Sequence, residues 1–379
     1  MHKCLLWGGF AGGNVGDELT LAIALQDMEL LYPQQVAILS HSVEYTQWLF
    51  PNYHVIRYKK IPLDRKQKPW FEKITQNDII ADFFEPRIIA SWVKKHLQTM
   101  PDWVKCLKNA EMLYLVGGGY LTDLFDIKSF LLPVTIANEF GVKILTAPLG
   151  IGPFRKKRNL ELFKKTFTRV PILVRDSDSL DICTKIGLNA TLIKDDGFRL
   201  RELSEFRANY KIQNFEVGNN LKIGICAYNQ HGSASNVRSY TDWWVRFLRQ
   251  FAALGLQDRI EGFCFHNSLS TDFNFLVNIF KYAGFNVKLV QPPPLNFYNA
   301  IDNLSRYSYV IATRFHAVVC ANALDIPATA LYSGDYYKAK MISTVETTKG
   351  ISPVCIDDKN PEIIANQIAD SLRSSQTSK

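Results

Sequence analysis

Paired cysteines are missing from this sequence. Cys4, Cys106, Cys183, Cys226, Cys264, Cys320 and Cys355 are scattered along it, their number is odd, and no two form a CxxC. That spacing argues against a disulfide scaffold and against a zinc site, and thiols set in apolar runs read as buried groups of a reducing compartment. Long hydrophobic runs are missing too. Nothing approaches the roughly 20 apolar residues of a membrane span. The opening MHKCLLWGGFAGGN reaches its glycines before the apolar core of a secretion signal can form. No GK[ST] follows a glycine loop, no GxGxxG stands in dinucleotide register, and neither an internal repeat nor a nucleic-acid module signature is present. The expectation is a cytoplasmic protein, at most peripheral at the inner face of a membrane.

What is there is ordinary in bulk and informative in detail. Hydrophobic residues make up 47% and charged residues 21% of 379, which excludes disorder, collagen and coiled coil. The length suits two domains at roughly 100–200 residues each. Forty-four Lys and Arg against 36 Asp and Glu leave a net charge of +8, which asks for an anionic partner without naming it. Two basic stretches, Arg57–Lys73 and Arg155–Arg169, carry part of it; such runs are usually solvated faces.

Short apolar runs alternate with amphipathic stretches. Strands are expected at Cys4–Trp7, Val36–Leu39, His54–Tyr58, Met112–Val116, Val142–Thr146, Pro171–Val174 and Ala190–Ile193. A helical period runs through Ile79–Lys108. After a polar stretch the pattern restarts with strands at Leu221–Ala227, Gly262–Phe265, Val287–Val290, Tyr309–Ala312, Ala328–Leu331 and Pro353–Ile356. Helices are expected at Phe297–Leu304 and Pro361–Leu372. This alternation predicts α/β architecture: two Rossmann-like, doubly wound domains with an interdomain cleft. The boundaries are 1–200, a linker at 201–219, and 220–379, with the last helix a candidate to pack back on the first domain.

Five motifs fall at strand ends, where such folds collect ligands. The first is Gly8-Gly9-Phe10-Ala11-Gly12-Gly13-Asn14-Val15-Gly16-Asp17-Glu18, in which Asp17 reads equally as a helix cap. The second is Gly117-Gly118-Gly119, and two glycine-rich strand ends in one domain should lie side by side. The third, Gly150-Ile151-Gly152-Pro153, reads as a structural turn. The fourth, Arg175-Asp176-Ser177-Asp178-Ser179, either presents a guanidinium to an anion or forms an Arg–Asp pair. Asp195-Asp196-Gly197 reads as a turn. The fifth, Arg314-Phe315-His316-Ala317, sets two basic groups into an apolar strand-to-helix run with no acid next to them in sequence, and so asks for an anion. His266-Asn267 and Tyr332–Lys338 are further strand-end candidates.

In this order, from Leu5 to Lys338, the motifs resemble those of the polysaccharide pyruvyl transferase family. The resemblance implies a GT-B-like arrangement of the two domains. It also implies transfer of a pyruvyl group from phosphoenolpyruvate to a sugar hydroxyl pair, giving a pyruvate ketal and phosphate, with no cofactor and no metal. It assigns Arg314, Arg175, His316, Phe315 and Lys338 to the donor. Gly12, Gly13, Asn14, Gly16, Gly117, Gly118, Gly119 and Gly152 fall to the acceptor side and the cleft backbone. His316, Asp17 and Glu18 are the catalytic candidates, with His316 either an acid or an anion ligand. The acceptor is a glycan or its precursor, which a lipid can carry, and nucleic acid is not a partner. One departure stands out: the family often has an Arg after the first strand of the second domain, and here that place reads Cys226-Ala227-Tyr228. The competing readings are a GT-B glycosyltransferase using a nucleotide sugar, with Glu261 or Asp272 on the ribose, and a non-catalytic glycan-binding protein.

Overall fold

The computed structural model describes residues 2–59, 93–95, 97–204, 206, 221–229, 237–334, 337–338, 340–342, 351–357 and 359–377. Of the expected basic stretch Arg57–Lys73 only Arg57–Lys59 fall among these. Most of the expected helix start at 79–92 and of the linker 201–219 lies outside the described residues. The chain forms two compact units. Met1–Gly12 with Thr20–Asp196 make the first, and Gly13–Leu19 with Gly197–Lys379 make the second.

The strands of the first unit are β1 (Cys4–Trp7), β2 (Val36–Ser40), β3 (His54–Arg57), β4 (Met112–Leu115), β5 (Gly118–Leu121), β6 (Lys143–Thr146), β7 (Leu149–Ile151), β8 (Ile172–Val174) and β9 (Ala190–Leu192). The helices are α1 (Val15–Leu31), which starts in the second unit, α2 (Val43–Leu49), α3 (Asp102–Asn109), α4 (Ile127–Phe140), α5 (Lys157–Phe167) and α6 (Ser177–Lys185). One parallel sheet runs β3-β2-β1-β4-β6, and a second, four-stranded parallel sheet runs β5-β7-β8-β9. Trp7 pairs with Leu115, so the glycines after β1 and β4 lie side by side as expected. The expected turns at Gly117–Gly119 and Gly150–Gly152 are corrected. After one break each, Gly118–Leu121 and Leu149–Ile151 pair again in parallel, and the strands continue into the second sheet.

The second unit holds β10 (Ile223–Cys226), β11 (Ile260–Gly262), β12 (Tyr309–Ala312), β13 (Ala328–Tyr332) and β14 (Ile351–Cys355). Its further helices are α7 (Val237–Ala253), α8 (Asn274–Ala283), α9 (Phe297–Leu304), α10 (Phe315–Ala323) and α11 (Pro361–Thr377). The parallel order is β11-β10-β12-β13-β14. Its central strands are buried along their whole length, which is why they read as unbroken apolar runs. Val287–Val290 is not a strand. Asn286 accepts a hydrogen bond from the Lys288 N–H and starts a 3₁₀ turn over Val287–Leu289, leaving only Val290 bridged to Gly262. The apolar face of α11 (Ile364, Ala365, Ile368, Leu372) enters the core of this unit, and Glu362 and Asn366 bond to Arg246 and Gln250 of α7. The last helix is therefore anchored in the second unit.

None of the seven cysteines is in a disulfide. Burial pushes the Cys4 thiol up to about 12 and that of Cys183 up to about 11, so these are packing groups and not nucleophiles.

Candidate functional site

In the second unit the strand order reverses between β10 and β12, the first strand in sequence lying beside the third. Doubly wound sheets bind ligands at the carboxyl ends of the strands flanking such a point. Tyr228 follows β10 and Arg314 follows β12. Parallel pairing extends to these ends, because the Thr313 N–H donates to the Cys226 carbonyl at 2.9 Å. The Tyr228 N–H donates to Thr313 Oγ1 at 3.3 Å.

Arg314 is fixed from two sides. Its guanidinium carbon lies 3.8 Å from the centre of the Tyr228 ring, a cation–π contact. Nε donates to Asp272 Oδ1 at 3.0 Å, and Nη2 reaches the same oxygen in a short bond. The expectation of an arginine without an acid neighbour is thus corrected. Asp272 sits in a π turn over Leu269–Phe273, is fully buried at 0% exposure, and accepts the Phe265 N–H on its other oxygen at 2.9 Å. Burial opposes the Arg314 charge, and Asp272 outweighs it, so the net shift is upward. Asp272 takes Nε and Nη2; among the described residues Nη1 has no hydrogen-bond partner, and the side chain keeps 15% of its surface. The result is a rigid cation with one donor nitrogen to offer.

His316 lies in the first turn of α10, at the end of the helix that favours anions. Against it packs the glycine-rich segment from the far end of the chain. Any Cβ on Gly16 would overlap the His316 ring, so only glycine permits this approach. Gly13 has φ +81°, and a Cβ there would strike Asn267. The segment is zipped to the loop after β11. Asn267 N–H donates to the Gly13 carbonyl at 2.9 Å, Val15 N–H to the Phe265 carbonyl at 3.3 Å, and Asn14 bridges His266.

Asn14 also organises the turn. Its Oδ1 accepts from the Gly16 N–H at 3.3 Å, and its Nδ2 donates to Asp17 Oδ2 at 2.9 Å, which orients that carboxylate. Glu18 is buried. The His266 pKa is lowered, first by burial and then by Arg314; its Nδ1 accepts from the Ser268 N–H at 3.0 Å, as a neutral ring does. Tyr337 packs edge-on to Tyr228 at 6.1 Å, next to the exposed Lys338. Phe315 stands edge-on to His316.

The structure therefore gathers Gly13, Asn14, Gly16, Asp17, Glu18, Arg314, Phe315 and His316 in one unit. The other unit holds Gly12, Gly117, Gly118, Gly119, Gly152 and Arg175. Arg175 has a different setting from Arg314: Nη1 donates to Asp195 Oδ2 at 2.8 Å, with both side chains only 2% exposed. Asp176 caps α6 by accepting the Ser179 N–H. Asp195 is thus the partner of Arg175 rather than simply a turn residue. Sequence reasoning weighed Asp272 only for a ribose and met Tyr228 only as the residue near a missing arginine; their contacts with Arg314 were not foreseen. The available signal was an acid placed shortly after the apolar run Phe263–Phe265 that follows β11.

The sequence matches the model of the polysaccharide pyruvyl transferase family over residues 14–335. No curated protein gives a significant match. Among solved structures the chain is similar to MnaA of S. aureus with UDP (TM-score 0.58, 11% identity, covering 98% of this chain and 88% of that one). It is also similar to HepE of Anabaena in complex with UDP-glucose (0.55, 11%, 99% and 91%). A third is UDP-GlcNAc 2-epimerase from Neisseria meningitidis bound to UDP-GlcNAc (0.54, 9%, 98% and 92%). Likeness at this identity shows the fold alone, which is the GT-B class of α/β proteins. The match from Asn14 to beyond the Arg314–His316 motif covers most of the chain, and the protein belongs to the polysaccharide pyruvyl transferase family.

Proposed function

We propose that this protein transfers a pyruvyl group from phosphoenolpyruvate to two hydroxyls of a sugar acceptor, forming a cyclic pyruvate ketal and releasing phosphate. The observation that carries this reading is the setting of Arg314: a guanidinium immobilised by Asp272 and Tyr228, with Nη1 uncommitted, on the residue that precedes the helix whose first turn holds His316. A small polyanion with a carboxylate and a phosphate suits such a cradle. Phe315, edge-on to His316, and Lys338, the neighbour of Tyr337, are assigned to the same donor.

In the first step the acceptor hydroxyl adds to C2 of the enol. C3 takes a proton, for which His316 is the assigned acid, and the hydroxyl proton leaves to a carboxylate. Asp17, held by Asn14, is the assigned base. In the second step the neighbouring hydroxyl attacks C2, the C2–O bond to phosphate breaks, and the second hydroxyl proton leaves with phosphate. Arg314 faces the charge on the departing group. Arg175 is left out of this scheme because Asp195 already holds it.

The nucleotide-sugar reading needs a carboxylate for a ribose. Both acids considered for that task are occupied: Asp272 by Arg314, and Glu261 by Lys222, Gln291 and Tyr307. The test is incubation with phosphoenolpyruvate and a panel of galactosides and N-acetylhexosamines. One equivalent of phosphate per acceptor that gains a ketal is expected. Thermal stabilisation by UDP with none by phosphoenolpyruvate would sink the proposal.

A further inference from the structure

A second surface, in the first unit, is built for a different anion. Leu124 and Phe125 follow one another in the loop between β5 and α4 and stand 57% and 52% exposed. Their position is set by hydrogen bonds. The Leu124 N–H donates to Thr122 Oγ1 at 3.3 Å, and the Ile127 N–H donates to the Phe125 carbonyl at 2.9 Å. The loop is also fastened to the start of α5. Asp123 Oδ2 accepts the N–H groups of Arg155 and Lys156 at 2.5 and 2.6 Å, and Oδ1 accepts Asn159 Nδ2 at 2.6 Å. Thr122 Oγ1 donates to the Pro153 carbonyl at 3.1 Å.

Two exposed apolar side chains are thereby clamped beside four consecutive basic residues, Arg155, Lys156, Lys157 and Arg158. Arg155, Lys156 and Lys157 are exposed and form no ion pair among the described residues. Asp123 is consumed by its three donors. Asp126, the other acid of the loop, accepts from Ser129 Oγ at 2.7 Å. Along α5 the exposed residues continue as Lys164 and Lys165, with Glu161 as the one acid of that helix.

Basic residues alone would describe any polyanion site. An adjacent, immobilised Leu–Phe pair adds a surface that water does not favour and that a soluble polyanion does not cover. Apolar tips ringed by lysine and arginine match the boundary of an anionic bilayer, where the tips enter the acyl region and the cations meet the head groups. We propose that the Leu124–Phe125 loop and Arg155–Lys157 form a docking surface for an anionic membrane. This holds whether or not phosphoenolpyruvate is the donor.

The test is co-sedimentation of the full chain with two kinds of vesicle, phosphatidylcholine alone and phosphatidylcholine mixed with phosphatidylglycerol. Binding to the anionic vesicles only, weakened by salt, is expected. Each basic residue near such a surface contributes roughly fivefold, so Lys156→Glu with Lys157→Glu should lower binding well over tenfold. Phe125→Ser should lower it roughly tenfold. These side chains are exposed, and the Asp123 clamp uses the backbone N–H groups of Arg155 and Lys156 and the Asn159 amide, none of which the variants remove, so they should keep the wild-type unfolding midpoint. Absence of binding to anionic vesicles overturns the proposal. So does binding that Lys156→Glu with Lys157→Glu abolishes but Phe125→Ser leaves intact, which would mark a general polyanion surface. A dimer in light scattering that Phe125→Ser dissolves would give the surface to a second copy of the chain and likewise overturn it.

Discussion

Arg175 with Asp195 and Arg314 with Asp272 are the same pair chemically, each with its arginine at the end of a parallel strand, one in each unit. In the first, both partners are shut away from water, and the guanidinium is committed to the loop after β9. In the second only the acid is shut away; the arginine lies on an aromatic face and keeps an open nitrogen. A buried carboxylate is common to both. Access to the cation distinguishes them: where both partners are enclosed the pair is an internal tie, and where one edge is open the acid mounts a cation that still reaches solvent.

The largest effect should come from opening the closed pair. Arg175→Ala strands a buried carboxylate, which costs about 3–5 kcal/mol. Calorimetry should show the unfolding midpoint several degrees lower; an unchanged midpoint would break the comparison. Next is Arg314→Lys, which keeps the charge but loses the planar fork. Transfer should fall on the order of 100-fold, about 2.7 kcal/mol, with little change in the midpoint. An equal kinetic loss in folded Arg175→Lys would erase the distinction. Arg314→Ala is the poorer probe, since it also leaves Asp272 unpaired.

Gly16→Ala comes third. It forces the His316 ring or the docked segment to move, at a cost of about 1–3 kcal/mol. Steady-state kinetics should show the rate of transfer falling roughly tenfold, while Gly12→Ala, which meets nothing within 4 Å, should be neutral.

The smallest effect is a pH dependence confined to the open pair's surroundings. The pKa of His266 is depressed below 6.5 by burial and by Arg314. The unfolded chain therefore takes up a proton at a pH where the native chain does not. Stability is full above that value and declines as pH falls from it toward the depressed pKa. In denaturant titrations His266→Gln should flatten this decline; an unchanged slope would mean another group sets it.

How far the sequence could be read depended on the range of the forces involved. Tyr309–Ala312 and Phe297–Leu304 were legible to the residue, because an apolar run or a helical period bounded by polar residues is local. The breaks before β5 and β7 look like ends, since Gly117 punctuates the first and Pro148 the second. Only the lateral pairing of Gly118 with Leu149 shows that the strands resume. Val287–Val290 has strand composition, and the Asn286 cap overrules it. Arg314, His316 and the glycines of the first turn were visible as oddities of composition. The role of Asp272 was not: as a lone acid in a loop it could be weighed only for a ribose, and its pairing is set when Phe265 and Arg314 fold around it.

The docking of Gly13–Leu19 against His316 has a consequence for anyone who recombines this protein. Hybrid enzymes are usually assembled by joining one relative's front half to another's back half at the linker. Such a splice would hand the recipient a foreign glycine turn under its own histidine, as though a key had been cut for a neighbouring lock. Residues 13–19 should be exchanged together with the back half, as a short graft near the start of the chain. Hybrids built that way should inherit the donor preference of the back-half parent, and those built by the simple splice should be the ones that fail.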